Sequence, residues 1–175
     1  AVMLSGETAS GAYPVAAVAT MARIIVAAEG GVEYPGMREW RRPTPAHAIA
    51  HAACGLARDL DAAAVIVLTQ SGRTGELVSK ERPNVPVIVF TDSDAAARQL
   101  ALWWGVYPVV TPFTRNADAM LATVETTLLD RGLLPRGAAV VIVGSTPIAA
   151  RGRTNFIKLQ YLASLVRRPA ADRRA

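Results

Sequence analysis

Residues 62–91 of this chain read AAAVIVLTQSGRTGELVSKERPNVPVIVFT. Two short and nearly continuous apolar runs, 62–68 and 85–90, flank a segment at 74–81 whose mixture of charged and apolar residues suits a short helix. Strands that are apolar along their whole length lie in sheets covered on both faces, and strands separated by helices usually pair in parallel. The stretch therefore predicts a strand–helix–strand unit of a parallel sheet.

The same alternation continues along the chain. The pattern predicts helices at 93–102 and 116–130 and further strands at 106–110, 138–143 and 155–162. The last two strands follow each other without an intervening helix, so we expect the last one to run antiparallel. The expected fold is a three-layer α/β/α sandwich around a five-stranded, mostly parallel sheet.

The chain before residue 44 does not follow this alternation. Its opening AVML is typical of the end of a buried strand, and because the first residue is Ala rather than Met we expect a truncated chain. Pro14 opens a helical pattern that should end near Gly30. Residues 31–43 mix Gly, Pro, charged and aromatic residues without a period, which favours a linker. Thr44 and Pro45 then give the N-cap and first residue of the helix that begins the main domain.

Composition narrows the class of protein. Apolar residues make up 51% of the chain and charged residues 19%, which excludes a disordered protein. No apolar run approaches the roughly 20 residues of a membrane-spanning helix, and residues 1–19 lack the basic start of a signal peptide. We expect a soluble cytoplasmic protein with no membrane partner.

The net charge of +5 does not predict nucleic-acid binding. Such binding needs a basic stripe interleaved with exposed aromatic residues, whereas the three Trp residues here lie in apolar or Pro-rich contexts. Residues 166–175 are rich in Arg, and we expect them to form a disordered basic tail. Cys54 is the single cysteine, so no internal disulfide can form, and its place on an apolar helix face favours core packing.

The segment after the first predicted strand, 69–74, is a candidate binding loop, because ligands of such sheets gather at the carboxyl ends of the strands. Gly72 allows the backbone to turn, consecutive N–H groups can surround an anion, and the next helix begins there with its positive end. The Ser71 and Thr74 hydroxyls add donors and Arg73 adds charge. The alternative is that Ser71 or Thr74 only caps the helix.

A second candidate loop, GSTPIAARGRTN at 144–155, follows the fourth predicted strand. Its small residues together with Arg151 and Arg153 could close over a phosphorylated ligand. The alternative is a long hairpin connection whose arginines are solvated. If the first and fourth strands are neighbours, both loops face one crevice.

Other candidate residues favour structural roles. His47 and His51 are spaced for a metal on one helix face, but no Cys or carboxylate lies beside them at ligand spacing, and we expect no metal site. The aromatic block at 103–108 favours packing. SGET at 5–8 is typical of an active-site loop at the end of a barrel strand, or of a simple polar turn. No nucleophile with an attendant base and no pair of catalytic carboxylates is evident.

Several motifs occur together in one order along the chain. They are VMLSGET at 2–8, TQSGRT at 69–74, LALWWGVYP at 100–108 and GLLPRGAAVVIVGSTPIAARGRTNFIKL at 132–159. In this combination the sequence resembles pyruvate kinase.

The resemblance implies a domain organisation. Residues 1–30 would be the last strand and helix of a catalytic (β/α)8 barrel, 31–43 a linker, 44–165 the carboxy-terminal regulatory α/β domain and 166–175 the tail. The full-length family is a homotetramer that transfers phosphoryl from phosphoenolpyruvate to ADP in glycolysis, giving pyruvate and ATP, with Mg²⁺ and K⁺.

The resemblance also implies that this chain is catalytically incomplete. The catalytic Lys and the metal ligands of the family would lie upstream, so no cofactor is expected to bind here. Ser5, Glu7 and Thr8 would remain only as part of a barrel loop.

The regulatory domain of the family binds a phosphorylated effector, which is a sugar phosphate or a nucleotide such as AMP. The first loop would supply Thr69, Ser71, Gly72, Arg73 and Thr74. The second loop would supply Gly144, Ser145, Arg151, Gly152, Arg153 and Thr154. The alternative from another class is a freestanding module that senses phosphorylated metabolites without kinase activity.

Overall fold

The computed structural model describes residues 2–30, 44–147 and 154–163. The chain divides into two compact units, Ala1–Met37 and Arg38–Ala175. The expected linker, the basic tail and residues 148–153 of the second loop lie outside the described residues.

The first unit contains two helices, α1 at Gly6–Ala9 and α2 at Pro14–Gly30. Pro14 begins α2, as predicted. The described residues before α1 form no strand, and Met3 is 86% exposed. This differs from the buried strand end expected from AVML, because a strand needs a neighbouring strand for its hydrogen bonds and the described part of this unit contains none.

The second unit alternates helices and strands. Its helices are α3 at Pro45–Asp59, α4 at Arg73–Lys80, α5 at Asp94–Leu100 and α6 at Ala117–Asp130. Its strands are β1 at Ala64–Leu68, β2 at Val87–Thr91, β3 at Val106–Val110, β4 at Ala139–Gly144 and β5 at Phe156–Tyr161.

The five strands form one sheet in the order β3-β2-β1-β4-β5. The first four strands are parallel and β5 is antiparallel to β4. The predicted sheet, including its antiparallel last strand, is confirmed. The chain moves from β1 to β2 in one direction and later places β4 on the other side of β1, which makes the β1–β4 boundary the topological switch point.

Side chains alternate between two cores, one on each face of the sheet. On one face, Val65, Val87 and Val141 of the sheet belong to the same core as the small residues of α3 and as Leu77 of α4. On the other face, Ile66, Ile88 and Ile142 pack with residues of α6. The three-layer arrangement is therefore confirmed, with α3 and α4 on one side and α6 on the other.

Cys54 lies in the core beside α3's buried alanines and is 5% exposed. Burial, with a smaller contribution from the charge of Glu81, raises the pKa of its thiol to about 12. The thiolate is the reactive form of cysteine, so Cys54 is a packing residue.

Among the helices of the described residues, none combines the length and apolar character needed to cross a membrane.

Candidate functional site

Strands β1 and β4 lie side by side in parallel, with Val67 opposite Val143. The segments that follow them therefore leave the sheet at the same edge. Gly144 ends β4 close to β1, since a Cβ atom added there would lie 3.1 Å from Leu68 Cβ and 3.3 Å from Leu68 O. The neighbouring strands required for a shared crevice are present.

The first loop is held by its own hydrogen bonds. The Gly72 N–H donates to Thr69 Oγ1 at 3.1 Å, and Gly72 adopts a φ of +82°, a left-handed conformation that favours glycine. Thr69, the first residue of the loop, is buried. The hydrogen bond and the conformation of Gly72 fix the turn that leads from the loop into the first residue of α4.

The Ser71 and Thr74 hydroxyls have different surroundings. Ser71 is exposed, and its Oγ accepts a long hydrogen bond of 3.4 Å from the Arg73 N–H. The N-cap of α4 is Gly72, which has no side chain, and Thr74 makes its side-chain hydrogen bond elsewhere. Of the two residues considered as helix caps, only Ser71 contacts a backbone N–H at the start of the helix.

Thr74 joins the two loops. Its Oγ1 lies 2.8 Å from Thr154 Oγ1, a hydrogen bond between residues 80 positions apart. Both threonines are buried, each with 6% exposure. This contact places the start of α4 against the end of the second loop.

The base of the second loop is closed by Asn155, which the sequence interpretation did not select. The Thr146 N–H donates to Asn155 Oδ1 at 2.7 Å, and Asn155 Nδ2 donates to Thr146 O at 2.9 Å. The Asn155 N–H also donates to Gly144 O at 2.9 Å. An Asn placed just before a strand and opposite a Thr-Pro pair is the only sequence signal that could have indicated this clamp.

Of the remaining residues expected in the second loop, Gly144 is buried and Ser145 is partly buried at the end of β4. Arg151, Gly152 and Arg153 lie outside the described residues. The structure therefore brings Thr154 and Gly144 to the first loop but gives no position for the two arginines.

Arg73 forms an ion pair on the exposed side of α4. Its Nη1 lies 2.9 Å from Glu76 Oε2, and Glu76 Oε1 also accepts a hydrogen bond from Lys80 Nζ. Burial alone would raise the pKa of Glu76, but the Lys80 hydrogen bond and the charges of Arg73 and Lys80 together lower it. Glu76 is therefore ionised at neutral pH.

The SGET motif covers the start of α1, with Ser5 at its N-cap position. The Ser5 N–H donates to Glu7 Oε2 at 3.1 Å, and the Thr8 hydroxyl donates to Ser5 O at 3.3 Å. The backbone N–H groups of Glu7 and Ser5 lower the pKa of the Glu7 carboxyl. Both hydrogen bonds lie within the first unit, at the start of α1.

The two histidines bind different partners. His47 Nδ1 accepts from the Thr44 N–H at 3.0 Å in the cap of α3, whereas His51 Nδ1 lies 2.9 Å from Glu81 Oε2 at the end of α4. The His51–Glu81 contact joins residues 30 positions apart and has no local sequence signal. Within residues 2–30, 44–147 and 154–163, no three His, Cys, Asp or Glu side chains come together as a metal site.

Comparison with known proteins places this chain in a family. The family model described as "Pyruvate kinase, alpha/beta domain" matches residues 47–160. The pyruvate kinase of Clostridium acetobutylicum is 38% identical over 166 residues, which cover 93% of this chain and 35% of the relative. The pyruvate kinase of Geobacillus stearothermophilus is 38% identical over 170 residues, which cover 95% of this chain and 29% of the relative.

A solved structure agrees with these matches. The crystal structure of a pyruvate kinase from Cryptosporidium parvum superposes with a TM-score of 0.81 at 29% identity, covering 92% of this chain and 32% of that chain. The chain spans about a third of the length of the curated relatives it matches. The chain belongs to the pyruvate kinase family and carries the family's alpha/beta domain.

Proposed function

We propose that this chain is the regulatory part of a pyruvate kinase, in which the loops at 69–74 and 144–154 bind a phosphorylated effector. The whole enzyme would transfer phosphoryl from phosphoenolpyruvate to ADP in glycolysis. The observation that best supports the binding site is the buried hydrogen bond between Thr74 and Thr154, because it joins the ends of both loops at the switch point of the sheet.

The first loop offers several donors to an anion. The first N–H groups of a helix have no partner within the helix and point toward its N-terminal end, where the helix dipole is positive. In the Thr74–Thr154 pair one hydroxyl donates to the other, so the hydrogen of the accepting hydroxyl remains available to a ligand. Arg73 begins the helix and can add a charge-assisted hydrogen bond. A phosphate group, with several acceptor oxygens, suits this set of donors.

The catalytic role of the family is proposed for the whole enzyme. Mg²⁺ is bound in proteins through carboxylate oxygens, and the described residues bring together no group of three His, Cys, Asp or Glu side chains. We therefore assign no metal to these residues and derive no catalytic step from them. Residues 1–30, with Ser5, Glu7 and Thr8, are proposed as part of the barrel unit.

We propose that effector binding changes activity because it is thermodynamically linked to the arrangement of the subunits. A phosphate that binds more tightly in one arrangement of the subunits of a homotetramer stabilises that arrangement. Typical coupling free energies of about 1–3 kcal/mol would change substrate affinity by one to two orders of magnitude. The effector would be a sugar phosphate or AMP, bound through its phosphate.

Titration calorimetry with glucose 6-phosphate, AMP and inorganic sulfate tests the site. We expect binding to the unmodified chain and a loss of more than tenfold in affinity in the Ser71→Ala/Thr74→Ala variant, because each hydrogen bond to a charged ligand contributes roughly 1.5–3 kcal/mol. Thr123→Ala is the control, since its hydroxyl donates to Ala119 O on α6, across the sheet from α4. Equal affinity in the double variant and the control would show that the loop does not bind the anion.

A further inference from the structure

The side chain that supplies positive charge to the candidate site is already paired. Arg73 Nη1 lies 2.9 Å from Glu76 Oε2, one helical turn along α4. The Arg73 side chain is 61% exposed, whereas the Glu76 side chain is 19% exposed. The guanidinium is therefore the more exposed partner of this pair, and the carboxylate is the more buried one.

Glu76 is held in place from its other side. Lys80 Nζ donates to Glu76 Oε1, so the two carboxylate oxygens contact two different cations. Lys80 in turn lies over the ring of Trp103, with its Nζ 5.1 Å from the ring centroid. Arg73, Glu76 and Lys80 all belong to α4, whereas Trp103 follows α5. The contacts of Lys80 hold the Glu76 carboxylate beside Arg73.

We propose that Glu76 is an affinity-setting residue of the anion site, because it competes with the bound anion for the Arg73 guanidinium. This inference rests on the proposed function of the loop at 69–74. The backbone of Arg73 is part of that loop, so its side chain can turn either to a bound anion or to Glu76. An anion that draws the Arg73 guanidinium away from Glu76 replaces its contact with the carboxylate, and the affinity for the anion is lower by the free energy of that contact.

The expected size of the effect follows from the exposure of the pair. Ion pairs at the surface of a helix contribute little, because water and salt screen them. Removal of the competing carboxylate should therefore tighten anion binding by about two- to fivefold. The same removal should have no such effect when Arg73 is absent.

The experiment is a double-mutant cycle on the 175-residue chain, with inorganic sulfate as the probe at constant pH and ionic strength. The variants are Glu76→Gln, Arg73→Gln and the combination of the two, and sulfate affinity is measured by calorimetry. Asp118→Asn is the matched control, because it also removes one negative charge but lies in the first turn of α6, across the sheet from α4. Glu76→Ala is a second variant, and thermal unfolding checks that each protein is folded.

We expect Glu76→Gln to bind sulfate about two- to fivefold more tightly than the unmodified chain and than Asp118→Asn. We also expect Arg73→Gln/Glu76→Gln to bind no more tightly than Arg73→Gln. Equal gains from Glu76→Gln and Asp118→Asn, or a gain that persists without Arg73, would overturn the inference.

The outcomes separate this inference from the proposed function. Sulfate binding that depends on Ser71 and Thr74 but is unchanged by Glu76→Gln overturns the inference alone. The absence of sulfate binding in both the unmodified chain and Glu76→Gln overturns both. Binding that becomes measurable only in Glu76→Gln supports both.

Discussion

The contact between Thr74 and Thr154 is the strongest link between the two loops at the level of single residues. Both hydroxyls are buried, and they lie 2.8 Å apart. A buried hydroxyl that loses its partner costs about 1–3 kcal/mol. We expect Thr74→Val, which keeps the shape of the side chain, to lower the free energy of unfolding by that amount, as measured by urea denaturation.

Two further variants identify the cause of this loss. Thr74→Ser keeps the hydroxyl and should stay closer to the unmodified chain. Thr74→Val/Thr154→Val should lose less than the sum of the two single variants, because residues that share one hydrogen bond are not independent. A Thr74→Val variant as stable as the unmodified chain would show that the pair contributes nothing.

The sequence indicated which residues form the first loop, but not all of the hydrogen bonds that these residues make. Thr74 was selected as a possible donor to a ligand and Thr69 as a binding residue implied by the resemblance, and each makes an internal hydrogen bond in the structure. The Arg73–Glu76 pair is visible in the sequence as an i, i+3 spacing. The Thr74–Thr154 and His51–Glu81 contacts are not visible, because their partners meet only after the chain has folded.

At the scale of secondary structure, the position of α4 depends on a small residue. A Cβ atom added to Gly75 would lie 2.8 Å from Leu100 Cδ2 and 3.1 Å from Val89 Cγ2, and both of those residues are buried. Gly75 thus allows α4 to pack closely on β2 and α5. The loop at 69–74 begins this helix, so any shift of α4 also moves the candidate site.

We expect Gly75→Ala to destabilise the chain by up to about 2 kcal/mol in urea denaturation. The clash should cost about 1–3 kcal/mol, and the better helix propensity of Ala offsets up to about 1 kcal/mol. Gly55→Ala in α3 is the matched control, because its added Cβ would meet only Arg58 Nη2 at 4.0 Å. That variant should gain stability, and equal behaviour of the two variants would show that α4 has room to adjust.

Helices and strands were predicted in the right order, but their ends were less accurate. The second strand was expected at 85–90 and is found at Val87–Thr91, after Pro86. Proline has no N–H for the ladder, which explains why the strand begins at Val87, two residues later than expected. The helix expected at 93–102 ends at Leu100, and the chain turns before the Trp pair. The pattern of apolar residues marks which face is buried but not where hydrogen bonding stops.

At the scale of the whole molecule, the sequence predicted five strands but not their order. The patterns of β1 and β4 are equally apolar, so composition does not reveal that they are neighbours. Adjacency depends on the direction and handedness of the crossovers between parallel strands. The observed order β3-β2-β1-β4-β5 provides the shared crevice on which the candidate site depends.

The two cores of the sheet lie entirely within the second unit, between residues 46 and 162. We therefore expect residues 38–175 to fold without the first unit and to unfold in urea in one cooperative transition. The m-value, which is the slope of the unfolding free energy against urea concentration, should correspond to the surface that one domain of this size exposes on unfolding.

A second truncation tests which element completes this fold. Ending the chain at residue 155 removes β5, whose six residues pair with β4, and removes the buried Leu162. The β4 backbone would then form an unpaired edge beside an exposed core, and we expect this shorter chain to lack a cooperative transition and to aggregate. Circular dichroism during urea titration distinguishes the two truncations. A cooperative transition without β5, or none in residues 38–175, would show that the folding unit has different limits.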